Sequence, residues 1–394
     1  VTSRAPEPAG RPLLVGVGGF LGAGKTTAIV AAAAALRARG RRVAVITNDQ
    51  ASGLVDTATA RAALAADSVA EIAGGCFCCR FDDLARTLST LIDRAAPEII
   101  LAEAVGSCTD LAATVYQPLR QLQGTAGIAP VRLGPLTVVV DAVRLRRFQP
   151  TRSLPLLPAD VGYLYGQQLA EADLLLLNKV DLVDPPAADA LLSHLEREHP
   201  GVPALPLSAL SGAGLDAWTA RLDVALDVAP AGGAPASGAR VLDLDYDRYA
   251  AAEAALGWLN LEGTVQPRSP GSAAWGESWV RMLLEQMVAR ATAAGAEVAH
   301  CKLRLEGAGG AVAAGLVSAG DRPQVRPTGT LAGPARLTLN ARVATDPRTL
   351  QGWVGAALAA ADGATGAHTA VSLQRALAPA RPVPTYRLSP PERV

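Results

Sequence analysis

The stretch GFLGAGKT (19–26) constrains this chain more than any other. It follows an apolar run, LLVGVGG (13–19), and opens a long Ala-rich segment, KTTAIVAAAAALRAR (25–39). Gly19, Gly24, Lys25 and Thr26 fit the pattern G-x-x-x-x-G-K-[ST]. Gly22 and Gly24 let the backbone curl so that N–H groups point at phosphate oxygens. Lys25 then reaches the β- and γ-phosphates, Thr26 ligates Mg2+ with Thr27 beside it, and the helix N-terminus adds partial positive charge. Such a loop needs a strand before it and a helix after it, and that alternation continues down the chain. The runs RVAVITN (42–48), SVAEIAGG (68–75), EIILAEA (98–104), LTVVVDA (136–142), DLLLLNK (173–179) and PALPLSA (203–209) are mostly continuous in apolar residues, as in parallel strands covered on both faces. Helical stretches lie between them. In FDDLARTLSTLIDRA (81–95), Leu84, Leu88, Leu91 and Ile92 share one face. The expected fold class is α/β: a P-loop NTPase with a doubly wound, mostly parallel sheet.

At 394 residues there is chain enough for a second domain. The uncharged Ala/Pro/Gly stretch VAPAGGAPASGA (228–239) reads as a linker. The expected layout is a flexible tail over 1–10, a nucleotide domain over 11–228, a linker over 229–239 and a smaller C-terminal α+β domain over 240–394. In that last part the pattern predicts strands at 241–246, 258–265, 298–305, 311–318 and 336–343, helices near 247–256, 276–294 and 346–361, and an extended tail. Lys+Arg and Asp+Glu both total 36, so the net charge of zero gives no support for a nucleic-acid or anionic-membrane partner. There is no apolar run of ~18 residues and no charged-then-apolar leader pattern in VTSRAPEPAG. A cytoplasmic location, where thiols stay reduced, is expected.

The base is read from NKVD (178–181). A carboxylate placed like Asp181 accepts two hydrogen bonds from guanine's N1–H and amine, donors that adenine cannot offer as a pair. Asn178 lies beside it, and the stem of Lys179 packs along the base plane. Downstream, Ser208 and Ala209 in LPLSALSGAG resemble the S-A-x loop of GTPases, so the expected nucleotide is GTP, hydrolysed to GDP. Glu103, at the end of strand 98–104, is expected to hold Mg2+ or to position the attacking water. Gly106, three residues on, lets its amide approach the γ-phosphate. Asn48, Asp49 and Asp56 lie where a nucleotide-sensing switch belongs. Asp49 is the candidate second Mg2+-linked carboxylate, and Asp141 is either another site carboxylate or a helix cap.

Three of the five cysteines crowd into GGCFCCR (74–80). An odd count in a reducing compartment argues against a disulfide framework and leaves metal binding, redox switching or a structural loop. Thiolates at Cys76, Cys78 and Cys79 suit Zn2+ and also accept Co2+, Ni2+ or Fe2+. Gly74 and Gly75 allow the backbone angles that let sulfurs converge. Arg80 and the helix that follows are expected to favour the thiolate. Cys301 reads as a structural strand residue, and His300 as a surface or interface residue.

GFLGAGKTT followed by ND…D, GGCFCC, E-x-x-G and NKVD, in that order, resembles the CobW-type metallochaperone GTPases, relatives of the urease and hydrogenase nickel-insertion GTPases. The resemblance spans roughly residues 13–220. It implies a GTPase that holds a transition metal at Cys76, Cys78 and Cys79 and delivers it to a client metalloprotein under nucleotide control, with Lys25, Thr26 and Thr27 on phosphate and Mg2+, Glu103 in the Walker-B-like role, and Asn178 and Asp181 on guanine. The family's N-E-x-G-E switch is here NDQAS, with Ser52 in place of its second acidic residue, and the His-rich C-terminal segment is missing. Cys108, five residues after Glu103, is the candidate substitute ligand. The competing reading is a GTP-dependent conformational chaperone that carries no metal itself, and a nucleotide-dependent homodimer is left open.

Overall fold

The structure is a computed structural model that describes residues 11–49, 55–64, 66–125, 127–149, 157–227, 236–268 and 275–390. Residues 1–10, most of the 229–239 linker stretch, and the switch residues 50–54 with Ser52 lie outside the described residues, as do the side chains of Asp49 and Asp56.

The first sheet contains β1 (Leu13–Gly18), β2 (Val43–Asp49), β3 (Val69–Ala73), β4 (Ile99–Glu103), β5 (Arg132–Leu133), β6 (Thr137–Asp141), β7 (Leu174–Asn178) and β8 (Ala204–Leu207). Its order is β3-β2-β4-β1-β6-β7-β8, with the short β5 pairing beside β1, and every described pairing is parallel. Alternate residues of each strand enter opposite layers. Leu14, Ile46, Ile100, Val138 and Leu175 face one core, and Val15, Val45, Leu101, Val139 and Leu176 face the other. Burial on both faces explains why these strands read as unbroken apolar runs. Successive strands leave β1 in opposite directions, to β4 and to β6. The crevice at the carboxyl end of β1 is therefore the topological switch point where open α/β sheets bind ligands.

The second sheet is antiparallel, with β9 (Gly257–Pro267), β10 (Val298–Gly307), β11 (Gly310–Leu316), β12 (Gln324–Gly329), β13 (Ala335–Val343) and β14 (Ala367–Leu377) in the order β12-β11-β10-β13-β9-β14. The helices Trp275–Ala293 and Pro347–Thr365 cover one face, burying Trp279, Leu283, Met287 and Val354 against Leu259, Leu303 and Leu339. This is the smaller α+β unit expected after residue 240. The other face meets the first layer, and Trp258 and Ala299 are part of its core.

The expected strand at 241–246 does not form. Asp245 instead accepts hydrogen bonds from the backbone N–H groups of Asp247 and Arg248 and starts a helix, Tyr246–Ala254. That helix packs on the helix Ala159–Ala170 of the first layer. β12 and β14 were not foreseen. Both are largely exposed, so neither presents the apolar alternation that marks a half-buried strand. The tail after β14 is extended as expected, but it is docked: the Thr385 N–H donates to Cys78 O at 2.9 Å and the Leu388 N–H to Ala113 O at 2.9 Å. At the described end of the linker stretch, the Gly238 N–H donates to Asp173 at 2.6 Å, and Gly238 O accepts from the Gln117 amide at 2.7 Å.

Candidate nucleotide and metal site

The loop after β1 folds as its sequence requires. Gly19, Gly22 and Gly24 all take positive φ, at 125°, 77° and 94°. Gly22 is also sterically closed, because a Cβ there would stand 2.6 Å from Cγ1 of Val317 on the second sheet's side. Lys25 and Thr26 begin the helix Lys25–Ala38 and are both buried, and Thr27 is partly exposed. Lys25 Nζ donates to Gly19 O at 2.8 Å, which folds the ammonium back over the loop. The Thr26 hydroxyl donates to Glu103 Oε1 at 2.9 Å, so the hydroxyl and the carboxylate expected to share Mg2+ are adjacent. Glu103 is only 4% exposed, and a carboxylate with so little access to water suits a cation at this place. Gly106 packs against the loop, with no room for a Cβ beside the Leu21 backbone at 3.0 Å.

On the other side of the loop, Asn178 acts as a cross-link. Its Nδ2 donates to Ala23 O at 2.8 Å, and its Oδ1 accepts from the Ala209 N–H at 2.9 Å. One amide thus joins the phosphate loop to the Ser208–Ala209 loop. Ser208 is buried and accepts from the Ser211 N–H at 3.2 Å. Lys179, at φ 64°, pairs with Asp141 at 2.5 Å, and Asp181 is exposed at the rim beside it. Asp141 is the helix cap of its two readings, accepting from the N–H groups of Val143 and Arg144. Burial pushes its carboxyl up, but Lys179 and Arg144 outweigh that and hold it below the usual carboxylate range. A cavity of about 380 Å3 opens here, lined by Gly24, Thr26, Lys179 and Asp141 on one side and by Lys302, Arg322 and Arg326 on the other. That volume falls within the ~300–1,000 Å3 of small-ligand sites.

The thiol loop leaves β3 through Gly74 and Gly75, both at positive φ. The N–H groups of Cys79 and Arg80 turn back onto Cys76 O. The three sulfurs converge, with Cys76 2.8 Å from Cys78 and 3.3 Å from Cys79, and Cys78 3.8 Å from Cys79. Thiolates about 2.3 Å from a tetrahedral ion stand ~3.8 Å apart, so small side-chain rotations suit this triplet to such an ion. Cys108, buried on the loop beyond Glu103, interacts with both Cys76 and Cys78. Among the described residues the sulfurs that lie close enough to share one ion are those of Cys76, Cys78 and Cys79, and Cys108, the candidate fourth donor, lies beside that group. Hydrogen bonds from Cys108, Cys78 and Cys79 drive the Cys76 thiol far below its ordinary value. Hydrogen bonding with Cys76 in turn pushes Cys79 up to about 11 and raises Cys108, while hydrogen bonding with Cys108 raises Cys78. The depression at Cys76 therefore comes from neighbouring thiols. Arg80, the expected source, pairs with Asp83 instead. Converging cysteine sulfurs, with Cys76 the one most disposed to ionise, are a donor set that suits a soft cation.

Asn48, which the sequence places with the switch residues, and Glu253, which it does not single out, lie between the two centres. Asn48, at the end of β2, donates to Gly75 O at 2.6 Å and Ile72 O at 3.0 Å, and accepts from the Phe77 N–H at 3.0 Å. Its place before Asp49 in ND was the available signal. Glu253 comes from the helix after the linker. It accepts from the Ser107 hydroxyl at 2.5 Å, and burial lifts its carboxyl to about 8, helped by the charge on Cys76. The docked tail completes the enclosure: Arg387 pairs with the buried Asp110 at 2.8 Å, and Tyr386 sits edge-on to Phe81 at 5.3 Å. Nothing local in LAPARPVPTYRLSPPERV signals that contact. Cys301 lies in the core of the second sheet, and His300 lies at the interface with the first layer. No described helix is long and apolar enough to cross a membrane.

Residues 13–205 match the family model "CobW/HypB/UreG, nucleotide-binding domain". The chain is 30% identical over 184 residues to the "Zinc chaperone CobW" of Sinorhizobium sp, an alignment covering 42% of this chain and 50% of that protein, so the chain spans about half the length of this curated relative. Among solved structures it is similar to Zn(II)-bound YjiA GTPase from E. coli, at 14% identity and TM-score 0.35 over 90% of this chain and 99% of that one. It is also similar to the hydrogenase maturation factor HypB from Archaeoglobus fulgidus, at 17% identity and TM-score 0.36 over 55% and 91%. With the phosphate loop, the NKVD strand end and the thiol loop set around one parallel sheet, residues 13–205 carry a nucleotide-binding domain similar to that of the CobW/HypB/UreG family.

Proposed function

We propose that this chain is a GTP-hydrolysing metallochaperone that holds a zinc-like transition metal on Cys76, Cys78, Cys79 and Cys108 and passes it to a client metalloprotein under nucleotide control. The observation that carries the reading is the double tie between the two centres. Cys108 sits on the loop that leaves Glu103, and Asn48 clamps the thiol loop to the end of β2. A change in how Glu103 and Asp49 engage Mg2+ and the terminal phosphate would move both ties. In this scheme Lys25, Thr26 and Thr27 hold the phosphates and Mg2+, Asp181 reads guanine at the exposed rim, and Asn178 keeps the base pocket against the loop. The bound Mg2+ supplies charge neutralisation at the terminal phosphate. Hydrolysis would relax the two ties and loosen the metal or its client.

Zinc and cobalt titrations of the thiol-reduced chain, nucleotide-free and with GDP or a non-hydrolysable GTP analogue, test this directly. Cobalt–thiolate absorption reports sulfur ligation. The expected result is one metal per chain, with an affinity that differs roughly 5- to 150-fold between the GDP and analogue states; linkage then requires the metal to shift nucleotide affinity by the same factor. Equal affinity in all states would remove gating of the metal. Absence of stoichiometric binding would leave the metal-free conformational chaperone as the function.

A further inference from the structure

β10 carries a register shift against β13 between Val298 and His300. Such bulges re-aim a side chain near functional sites. Here Cys301, Leu303 and Leu305 enter the second sheet's core. His300 and Lys302 fall on the opposite face, which meets the phosphate loop. A cavity of about 20 Å3 lies between the layers, walled by Lys25, Glu103 and Gly106 on one side and by His300, Lys302 and Arg342 on the other. Arg342 is the register partner of His300 and is fully buried, held over the Trp258 ring at 4.0 Å with hydrogen bonds to Leu259 O and Asn260 Oδ1. His300 is 6% exposed, and neither ring nitrogen has a hydrogen-bond partner. Burial, reinforced by Lys302, Arg342, Lys25 and Arg144, keeps the imidazole neutral.

Lys25, Lys302 and Arg342 line this cavity together with Glu103, so the groups around it are mainly cationic. The buried His300 imidazole has both nitrogens unpaired by protein groups and can hydrogen-bond to a group that enters this cavity. Lys25 is the residue that reaches the outer phosphates of a nucleotide on this loop. The cavity has room for about one water, which needs ~10–15 Å3, and none for a phosphoryl group. A phosphoryl group placed in this cavity would therefore push against the second sheet.

We propose that His300, with Lys302, contacts the terminal phosphate of the bound nucleotide, so that the C-terminal sheet itself distinguishes triphosphate from diphosphate. This rests on the guanine-nucleotide reading above. The imidazole N–H donates to a phosphate oxygen and Lys302 supplies charge, while Arg342 stays with its backbone and Asn260 partners and acts as a positioning residue. Nucleotide state then reaches the second sheet directly through its own side chains.

Calorimetric titration of the full chain with Mg2+ and either GDP or a non-hydrolysable GTP analogue provides the test, in the unaltered chain and in His300→Ala, His300→Gln and Lys302→Met. His300→Ala is expected to weaken the analogue about tenfold or more, the worth of a hydrogen bond to a charged group, and to leave GDP within about twofold. His300→Gln, which keeps a donor, should recover most of the loss. Lys302→Met, at a partly exposed position that does not threaten folding, should show the same selective loss even where His300→Ala is unstable. Equal weakening of both nucleotides, or none in any variant, overturns the proposal while leaving nucleotide binding intact. An unaltered chain that binds neither nucleotide overturns the guanine-nucleotide reading and this inference together.

Discussion

Asn178 satisfies two backbone groups from two different loops, and both lose their partner if its amide is removed. Asn178→Ala should cost about 1–3 kcal/mol per orphaned buried group, read as a lower urea midpoint with an unchanged slope, and should weaken guanine-nucleotide binding in parallel. A change confined to nucleotide affinity would show that the bridge is not structural. Glu171 provides a pH signature. It is buried, accepts from the Thr109 hydroxyl at 3.0 Å and the Ala112 N–H at 3.3 Å, and burial followed by the charge of Asp110 lifts its carboxyl to about 8. Its unfolded value is about 4.3, so the folded chain holds this proton more tightly than the unfolded chain. Stability from this group is therefore fully present below pH ~4.3 and is lost as pH rises to about 8, on the order of a few kcal/mol in all. Glu171→Gln should flatten the stability profile between those limits, measured by denaturant unfolding at a series of pH values. An unaltered slope would mean that Glu171 does not carry it.

Among elements, the docked tail lies against the thiol loop and is expected to limit access to it. Its Thr385 N–H caps Cys78 O, Tyr386 covers Phe81, and Arg387 answers the buried Asp110, which takes φ 65°. Burial alone pushes the Asp110 carboxyl up, and Arg387 with the Tyr246 hydroxyl opposes it. A chain ending at Ala380 should react with an aromatic disulfide reagent about tenfold faster at Cys79, which corresponds to ~1.4 kcal/mol of easier local opening. Arg387→Ala should give a smaller acceleration in the same direction. Unchanged thiol kinetics in both would show that the thiol loop opens independently of the tail.

In the whole molecule the two sheets share a core. Trp258 and Ala299 bury against the first layer, Arg144 donates to Ala299 O at 3.2 Å and Val317 O at 2.6 Å, and the Val55 N–H donates to Asn340 at 3.3 Å. Because these contacts link the phosphate loop's surroundings to β10 and β13, the intact chain should unfold in one calorimetric transition. A fragment of residues 11–239 should melt lower and bind a hydrophobic dye, since it leaves the face beneath Tyr249, Trp258 and Ala299 uncovered. Two resolved transitions in the intact chain would refute that cooperativity.

The sequence by itself determined the long strands of the first sheet, the phosphate loop and the thiol triplet. Parallel strands buried on two faces must be apolar throughout, a phosphate loop must have its glycines, and three thiols within four positions stay close in any fold. It did not reveal β12, β14 or the docking of the tail, because exposed strands and Pro-rich extended chain carry no burial pattern to read. Only the tertiary structure decided that Cys108 lies beside the thiol triplet, that Arg80 spends its charge on Asp83, and that His300 faces the phosphate loop. Those outcomes depend on which surfaces meet across long separations in the chain, and local spacing cannot encode the angle at which one sheet packs on another.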